Sequence, residues 1–136
     1  MYTGIEQRIS AFLTSSAFGV VGASNNREKY GNKVLRVYIQ NHKTVYPVNP
    51  NESSIEGIVC IPTVENLPAD VKSISIITPP PVTEKIVRQA ISKGIHNIWM
   101  QPGAESDSAI KLCEENGINV IAGGPCILVV LGFHED

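Results

Sequence analysis

Phe18-Gly19-Val20-Val21-Gly22-Ala23-Ser24-Asn25-Asn26 and, two residues on, Lys29-Tyr30-Gly31-Asn32-Lys33 decide how this chain is read. An apolar run stops at a glycine, a polar turn follows, and helical spacing begins, with Val34, Leu35, Tyr38 and Ile39 on one stripe of Gly31 to Asn41. That is a strand, a tight turn and a helix. The same grammar recurs down the chain. Thr44 to Val48 ends at Asn49-Pro50, Val71 to Ile77 at Thr78-Pro79-Pro80-Pro81, Asn97 to Met100 at Gln101-Pro102-Gly103, and Asn119 to Ala122 at Gly123-Gly124-Pro125. Strands apolar on both faces belong to a parallel sheet covered on both sides.

The intervening segments read as helices. Val82 to Lys93 aligns Ile86, Val87, Ala90 and Ile91 and is closed by Gly94; Ser106 to Asn116 aligns Ala109, Ile110, Leu112 and Cys113 and is closed by Gly117, with Ser106 as N-cap. Ile5 to Leu13 reads as a shorter N-terminal helix, and Asn51 to Pro68 as a loop with a short strand or a single turn. The expected fold is α/β: a doubly wound, mainly parallel sheet of about five strands with helices on both faces, Rossmann-like, in one domain over residues 1–136.

Composition narrows the function classes. The chain has 136 residues, 43% apolar and 18% charged, so it can bury a core without metal or disulfide. A net charge of −2 gives no electrostatic footprint for nucleic acid. Cys60, Cys113 and Cys126 are odd in number, far apart and without a C-x-x-C pair, which points to a reducing compartment. Met1 to Phe12 carries Glu6 and Arg8 and no apolar signal core, and Cys126 to Phe133 is too short to span a bilayer. The expected location is the cytoplasm. His42, His96 and His134 have no metal spacing, and no catalytic triad or carboxylate pair is visible, so no catalytic or metal residue is assigned.

In doubly wound sheets a ligand sits beyond the carboxyl ends of the strands. Gly22, Ala23 and Ser24, followed by Lys29 and Tyr30 at a helix start, form either a phosphate cradle or an ordinary polar loop. The glycine spacing departs from G-x-G-x-x-G, and the second strand ends in Val48-Asn49 where an NAD site would place an acid. A neutral end tolerates a phosphorylated ribose, as in coenzyme A or NADP. Three prolines after Thr78 read as a rigid extended segment, either an apolar edge for a ligand or a strand stop. Gln101 is a polar amide expected to face the crevice. Trp99 reads as core, and Cys126 as a buried structural thiol or a redox thiol.

Taken together, Val20-Val21-Gly22-Ala23-Ser24, Lys29-Tyr30-Gly31, Tyr46-Pro47-Val48-Asn49-Pro50, Trp99-Met100-Gln101-Pro102-Gly103-Ala104 and Gly124-Pro125-Cys126-Ile127 resemble the CoA-binding domain family. This is the small stand-alone Rossmann-like group related to the CoA-binding domain of the succinyl-CoA synthetase α subunit. The resemblance runs from about Ile5 to Gly132. It implies that Gly22, Ala23 and Ser24 approach the diphosphate, with Lys29 as a phosphate partner and Tyr30 beside it. Pro47, Val48 and Asn49 would lie by the adenosine, Thr78 and Pro79 would line the groove, and Gln101 would face the pantetheine. Arg27 stands where many members have proline. The synthetases use a phosphorylated histidine on a further domain, so acyl-CoA synthesis by residues 1–136 alone is not expected.

The function expected is binding of coenzyme A or an acyl-CoA without catalysis. The alternatives are an NADP-dependent oxidoreductase and a protein whose Cys126 is a redox thiol linked to CoA. The partner implied is a small molecule, with neither nucleic acid nor membrane; a homo-oligomer or a larger complex stays open.

Overall fold

The computed structural model describes residues 4–136. In chain order the elements are α1 (Ile5–Leu13), β1 (Ala17–Val21), α2 (Tyr30–Gln40), β2 (Thr44–Val48), β3 (Ser54–Ile55), β4 (Ile58–Val59), a 3-10 turn at Val64–Asn66, β5 (Val71–Ile76), α3 (Pro80–Lys93), β6 (Asn97–Met100), α4 (Asp107–Glu115), β7 (Asn119–Ile121) and α5 (Ile127–Val130). Five strands pair in parallel in the order β2-β1-β5-β6-β7. The Rossmann-like α/β expectation holds. Strand order reverses between β1 and β5, which makes the crevice beyond Val21 and Ile76 the place for a ligand. Among the described residues no helix is long and apolar enough to cross a membrane.

Alternation along β1 explains the two-sided core. Phe18 and Val20 pack with Phe12, Leu35, Tyr38, Trp99, Ile121 and Ile127, the side covered by α1, α2 and α5. Ala17 and Val21 pack with Ile74, Ile76, Val87, Ala90 and Cys113, the side covered by α3 and α4. Trp99 is core as expected, fully buried, edge-on to Phe12 at 5.3 Å and donating Nε1–H to the Pro125 carbonyl at 3.0 Å.

The two sheet ends are built differently. At the amino ends, Ser73, Asn97 and Asn119 stand side by side on β5, β6 and β7. Asn97 Nδ2 donates to Ser73 Oγ at 3.0 Å, and Asn119 Nδ2 donates to Asn97 Oδ1 at 3.0 Å and to the Arg8 carbonyl at 2.8 Å. Ser73 Oγ donates to the Phe12 carbonyl at 2.9 Å. This buried polar ladder fastens α1 across the sheet and leaves the carboxyl end to the loops.

At the carboxyl end the decisive contact is between α2 and β1. Gly22 has φ of 96°, and Ile77 N–H donates to the Val21 carbonyl at 2.8 Å just before it. A Cβ on Gly31 would fall on the Gly22 carbonyl oxygen, inside any van der Waals contact. Glycine at both positions lets the helix start directly against the strand end.

Several boundaries differ from the sequence reading. Pro80 and Pro81 are not an extended arm: they occupy the first turn of α3, with extended Pro79 as N-cap. A first-turn proline forfeits an N–H that has no helical partner in any case, and its fixed φ suits the helix. The strand before them stops at Ile76, and α3 therefore begins two residues earlier than its apolar stripe. The loop from Asn51 holds a two-strand hairpin as well as the 3-10 turn. Ile61 then forms a parallel bridge to Val48, its N–H donating to the Pro47 carbonyl at 2.9 Å, which covers the outer edge of β2. The run from Cys126 contains the short α5, which the sequence reading left unassigned. Ser106 does cap α4, accepting from Ala109 N–H at 3.1 Å.

Two substitutions test these ends separately. Gly31→Ala is expected to lower the unfolding free energy by about 1–3 kcal/mol, because backbone must shift to admit one methyl group. Asn97→Ala should cost a comparable amount, about 1–3 kcal/mol, by leaving buried partners unsatisfied. Urea denaturation of each variant checks both, and a loss below about 0.5 kcal/mol would contradict the packing described.

Candidate functional site

The loop after β1 is held from below by side chains rather than by a repeated glycine motif. Asn49 Nδ2 donates to the Ala23 carbonyl at 2.9 Å, and Asn32 Nδ2 donates to the Ser24 carbonyl at 2.9 Å. Ser24 Oγ accepts from Asn26 N–H at 3.0 Å, and Asn26 Oδ1 accepts from Glu28 N–H at 3.0 Å. The helix that follows has Lys29 at its N-cap with no side-chain cap, so the first-turn N–H groups face the crevice mouth with their partial positive charge.

Three cavities lie along this edge and share walls. The first, about 400 Å3, is bounded by Gly22, Ala23, Ser24, Lys29, Tyr30, Gly31, Asn49 and Ile77. The second, about 270 Å3 and mostly apolar, shares Gly22 and Asn49 with it and adds Val48, Pro62, Thr63, Val64, Thr78, Val82 and Ile86. The third, about 320 Å3, shares Tyr30 and Ile77 with the first and adds Thr78, Pro79, Pro102, Gly103 and Ala104. The first is thus a backbone-rich cradle adjoining an apolar slot and a shallower groove, and the slot and the groove meet each other at Thr78. Another cavity of about 300 Å3 lies at the opposite sheet end, around His96 and the glycine caps of α3 and α4, away from the switch point.

Of the residues singled out from sequence, nine line this edge: Gly22, Ala23, Ser24, Lys29, Tyr30, Val48, Asn49, Thr78 and Pro79. Pro47 and Gln101 do not. Pro47 is buried in β2, where its carbonyl serves the Ile61 bridge. Gln101 is fully buried beneath the third cavity's edge; its Oε1 accepts from the Tyr30 hydroxyl at 3.1 Å and from Ile127 N–H at 3.0 Å. Its Nε2 has no hydrogen-bond partner. The apolar slot was not foreseen. Its signals were the i, i+4, i+7 spacing of Val82, Ile86 and Gln89 on α3, and Pro62-Thr63 in the preceding loop.

Charge is distributed unevenly here. Arg27 pairs with Glu56 at 3.0 Å and Asp136 at 2.8 Å, Lys33 with Glu135 at 3.5 Å, and the buried Arg36 with Glu135 and Asp136. Among the described residues Lys29 forms no ion pair, so it is the cradle's available cation. The Arg27 cation noted in the sequence is instead spent on the hairpin and the tail. Burial, reinforced by the contact with Cys126, holds the Tyr30 hydroxyl well above the usual phenol value, so it stays a donor at neutral pH. Among the described residues no group of three His, Cys, Asp or Glu could hold a metal ion.

Known proteins match this fold. A conserved hypothetical protein from Pyrococcus furiosus superposes with a TM-score of 0.80 at 38% identity, over 84% of this chain and 97% of its own. A hypothetical protein from Pyrococcus horikoshii OT3 superposes with a TM-score of 0.86 at 28% identity, over 93% and 89%. Among curated proteins, the alpha subunit of the ADP-forming acetate–CoA ligase II of Pyrococcus furiosus is 24% identical over 92% of this chain, which spans only 29% of that subunit. The model of the CoA binding domain matches residues 16–132, from just before β1 to just after α5. The chain belongs to the CoA binding domain family.

Proposed function

We propose that this chain binds coenzyme A or an acyl-CoA along the carboxyl edge of its sheet and has no catalytic step of its own. The observation that carries this reading is three adjoining cavities of different character at one sheet edge. An apolar slot, a backbone cradle with one available lysine and a further groove match the chemistry of adenosine, diphosphate and pantetheine in the ligand. The slot between Val48, Val64, Val82 and Ile86 suits a flat base. Gly22, Ala23, Ser24 and the first turn of α2 suit the diphosphate, with Lys29 as counter-charge. Thr78, Pro79 and Tyr30 line the way to the pantetheine end, and the buried Gln101 stands behind Tyr30, accepting from its hydroxyl at 3.1 Å.

Asn49 bears on the choice of nucleotide. Its Nδ2 is committed to the Ala23 carbonyl and its Oδ1 to Asn51 N–H at 2.7 Å, so the strand end presents neither a carboxylate to grip a ribose diol nor a negative charge to repel a ribose phosphate. NADP shares that feature, and an NADP-dependent oxidoreductase is the second reading. Cytoplasmic residence would follow from a CoA ligand and three free thiols.

Isothermal titration with CoA, dephospho-CoA, NAD and NADP separates these readings. CoA is expected to bind most tightly, dephospho-CoA more weakly, and both dinucleotides least. Lys29→Ala should weaken CoA about tenfold, the loss of one charge-assisted phosphate contact, and flatten the salt dependence. Equal or tighter binding of NAD than of CoA would remove the proposal, and preference for NADP with turnover of a carbonyl compound would replace it.

A further inference from the structure

Tyr30, at the start of α2, lines both the cradle and the groove and touches two groups from other elements, Gln101 after β6 and Cys126 before α5. The Tyr30 hydroxyl donates to Gln101 Oε1 at 3.1 Å and lies 2.5 Å from Cys126 Sγ. Gln101 Oε1 also takes the Ile127 N–H, which leaves Gln101 Nε2, on the same planar group, buried without an acceptor. A buried amide donor is rarely left unmet, and the chain supplies no acceptor for this one beside the Tyr30–Cys126 contact. Cys126 itself is only partly buried.

Resting on the CoA reading above, we propose that Cys126 is a thiol–disulfide exchange site that forms a mixed disulfide with the thiol end of the bound ligand. The co-reactant is a disulfide of the ligand. Cys126 loses its proton to solvent, and its thiolate attacks one sulfur of that disulfide. The ligand S–S bond breaks, the Cys126–ligand S–S bond forms, and the released half leaves as a thiolate that takes up a proton. No electrons are gained or lost overall. Tyr30 suits both states of the sulfur: it can accept from the thiol while serving Gln101, or turn its hydroxyl to donate to the thiolate. Burial keeps it protonated for that second role.

The other thiols are poor competitors. Cys113 is fully buried, and burial together with the Glu114 charge pushes it up to about 12. Cys60 lies just after β4, away from Tyr30, and burial and the Glu52 charge raise its thiol as well. Thiolate, not thiol, is the nucleophile, so both are disfavoured.

Incubation of the protein with CoA disulfide, and in parallel with glutathione disulfide, followed by intact-mass measurement and peptide mapping, decides the matter. The expected result is one CoA adduct on Cys126, removed by dithiothreitol. It should form on the order of tenfold or more faster than the glutathione adduct, because the nucleotide end raises the local concentration of the reacting sulfur. Cys60→Ser should keep the adduct and Cys126→Ser should lose it; mapping on the unaltered protein identifies the site even where a variant folds poorly. An adduct on Cys60, equal rates with both disulfides, or no adduct on protein that titrates with reduced CoA would each overturn the exchange site and leave CoA binding standing. Failure to bind reduced CoA would instead end the binding proposal, and the exchange site with it.

Discussion

The carboxyl edge of this protein depends on the seating of α2 against the end of β1. Gly22 turns the chain with a positive φ, and Gly31 lets the helix lie on the Gly22 carbonyl without a Cβ between them. The dinucleotide fingerprint solves the same problem with three closely spaced glycines. Here two glycines nine positions apart do so, and the longer loop between them is fixed by amides: Asn49 and Asn32 each take a loop carbonyl. Because those carbonyls are satisfied from below, the N–H groups can face outward. Lose the close approach, and the cradle, the adjacent slot and the position of Tyr30 all shift together.

The same arrangement separates stability from binding. Asn97, Ser73 and Asn119 tie the amino ends of three strands to one another and to α1, far from the crevice. The aromatic cluster of Phe12, Phe18, Tyr38 and Trp99 sits between α1, α2 and the sheet. Tyr38 sets its hydroxyl 2.7 Å from Ser75 Oγ, so the phenol is satisfied in the core, and burial holds it protonated. With the core anchored there, the strand ends can carry glycine, proline and polar residues that would weaken a sheet interior.

Much of this was legible in the sequence because periodicity reports burial. β2 (Thr44–Val48) and β6 (Asn97–Met100) have the bounds their apolar runs indicated, and α1 spans Ile5–Leu13 as its stripe suggested. What was missed has specific causes. Proline carries several meanings, and Pro80-Pro81 were read as a rigid extended segment, either an apolar edge for a ligand or a strand stop, when they open a helix whose stripe begins only later. α5 has four residues, too few for a helical period to show. The hairpin at Ser54–Val59 pairs two residues with two, below any pattern length, and the Ile61 bridge is a non-local pairing that local spacing does not encode. Gln101 was read as facing the crevice because polar strand ends usually do. Its side chain turns inward, since α5 brings an unpaired N–H at Ile127 that needs an acceptor.

That inward turn links the parts. One amide oxygen joins the first turn of α2, through Tyr30, to the first N–H of α5, so the loop carrying Cys126 is positioned by the same helix that forms the cradle. A glutamine used this way leaves its amide nitrogen unsatisfied, and a buried unmet donor costs about 1–3 kcal/mol. Aliphatic packing at this spot would avoid the penalty but would sever α2 from α5. Each sheet end keeps one unmet buried polar atom among the described residues, Gln101 Nε2 where the strand order reverses and Asn119 Oδ1 in the amino-end ladder Ser73–Asn97–Asn119. Of the two, the Gln101 amide is the one that stands beside Tyr30, at the edge proposed for the ligand.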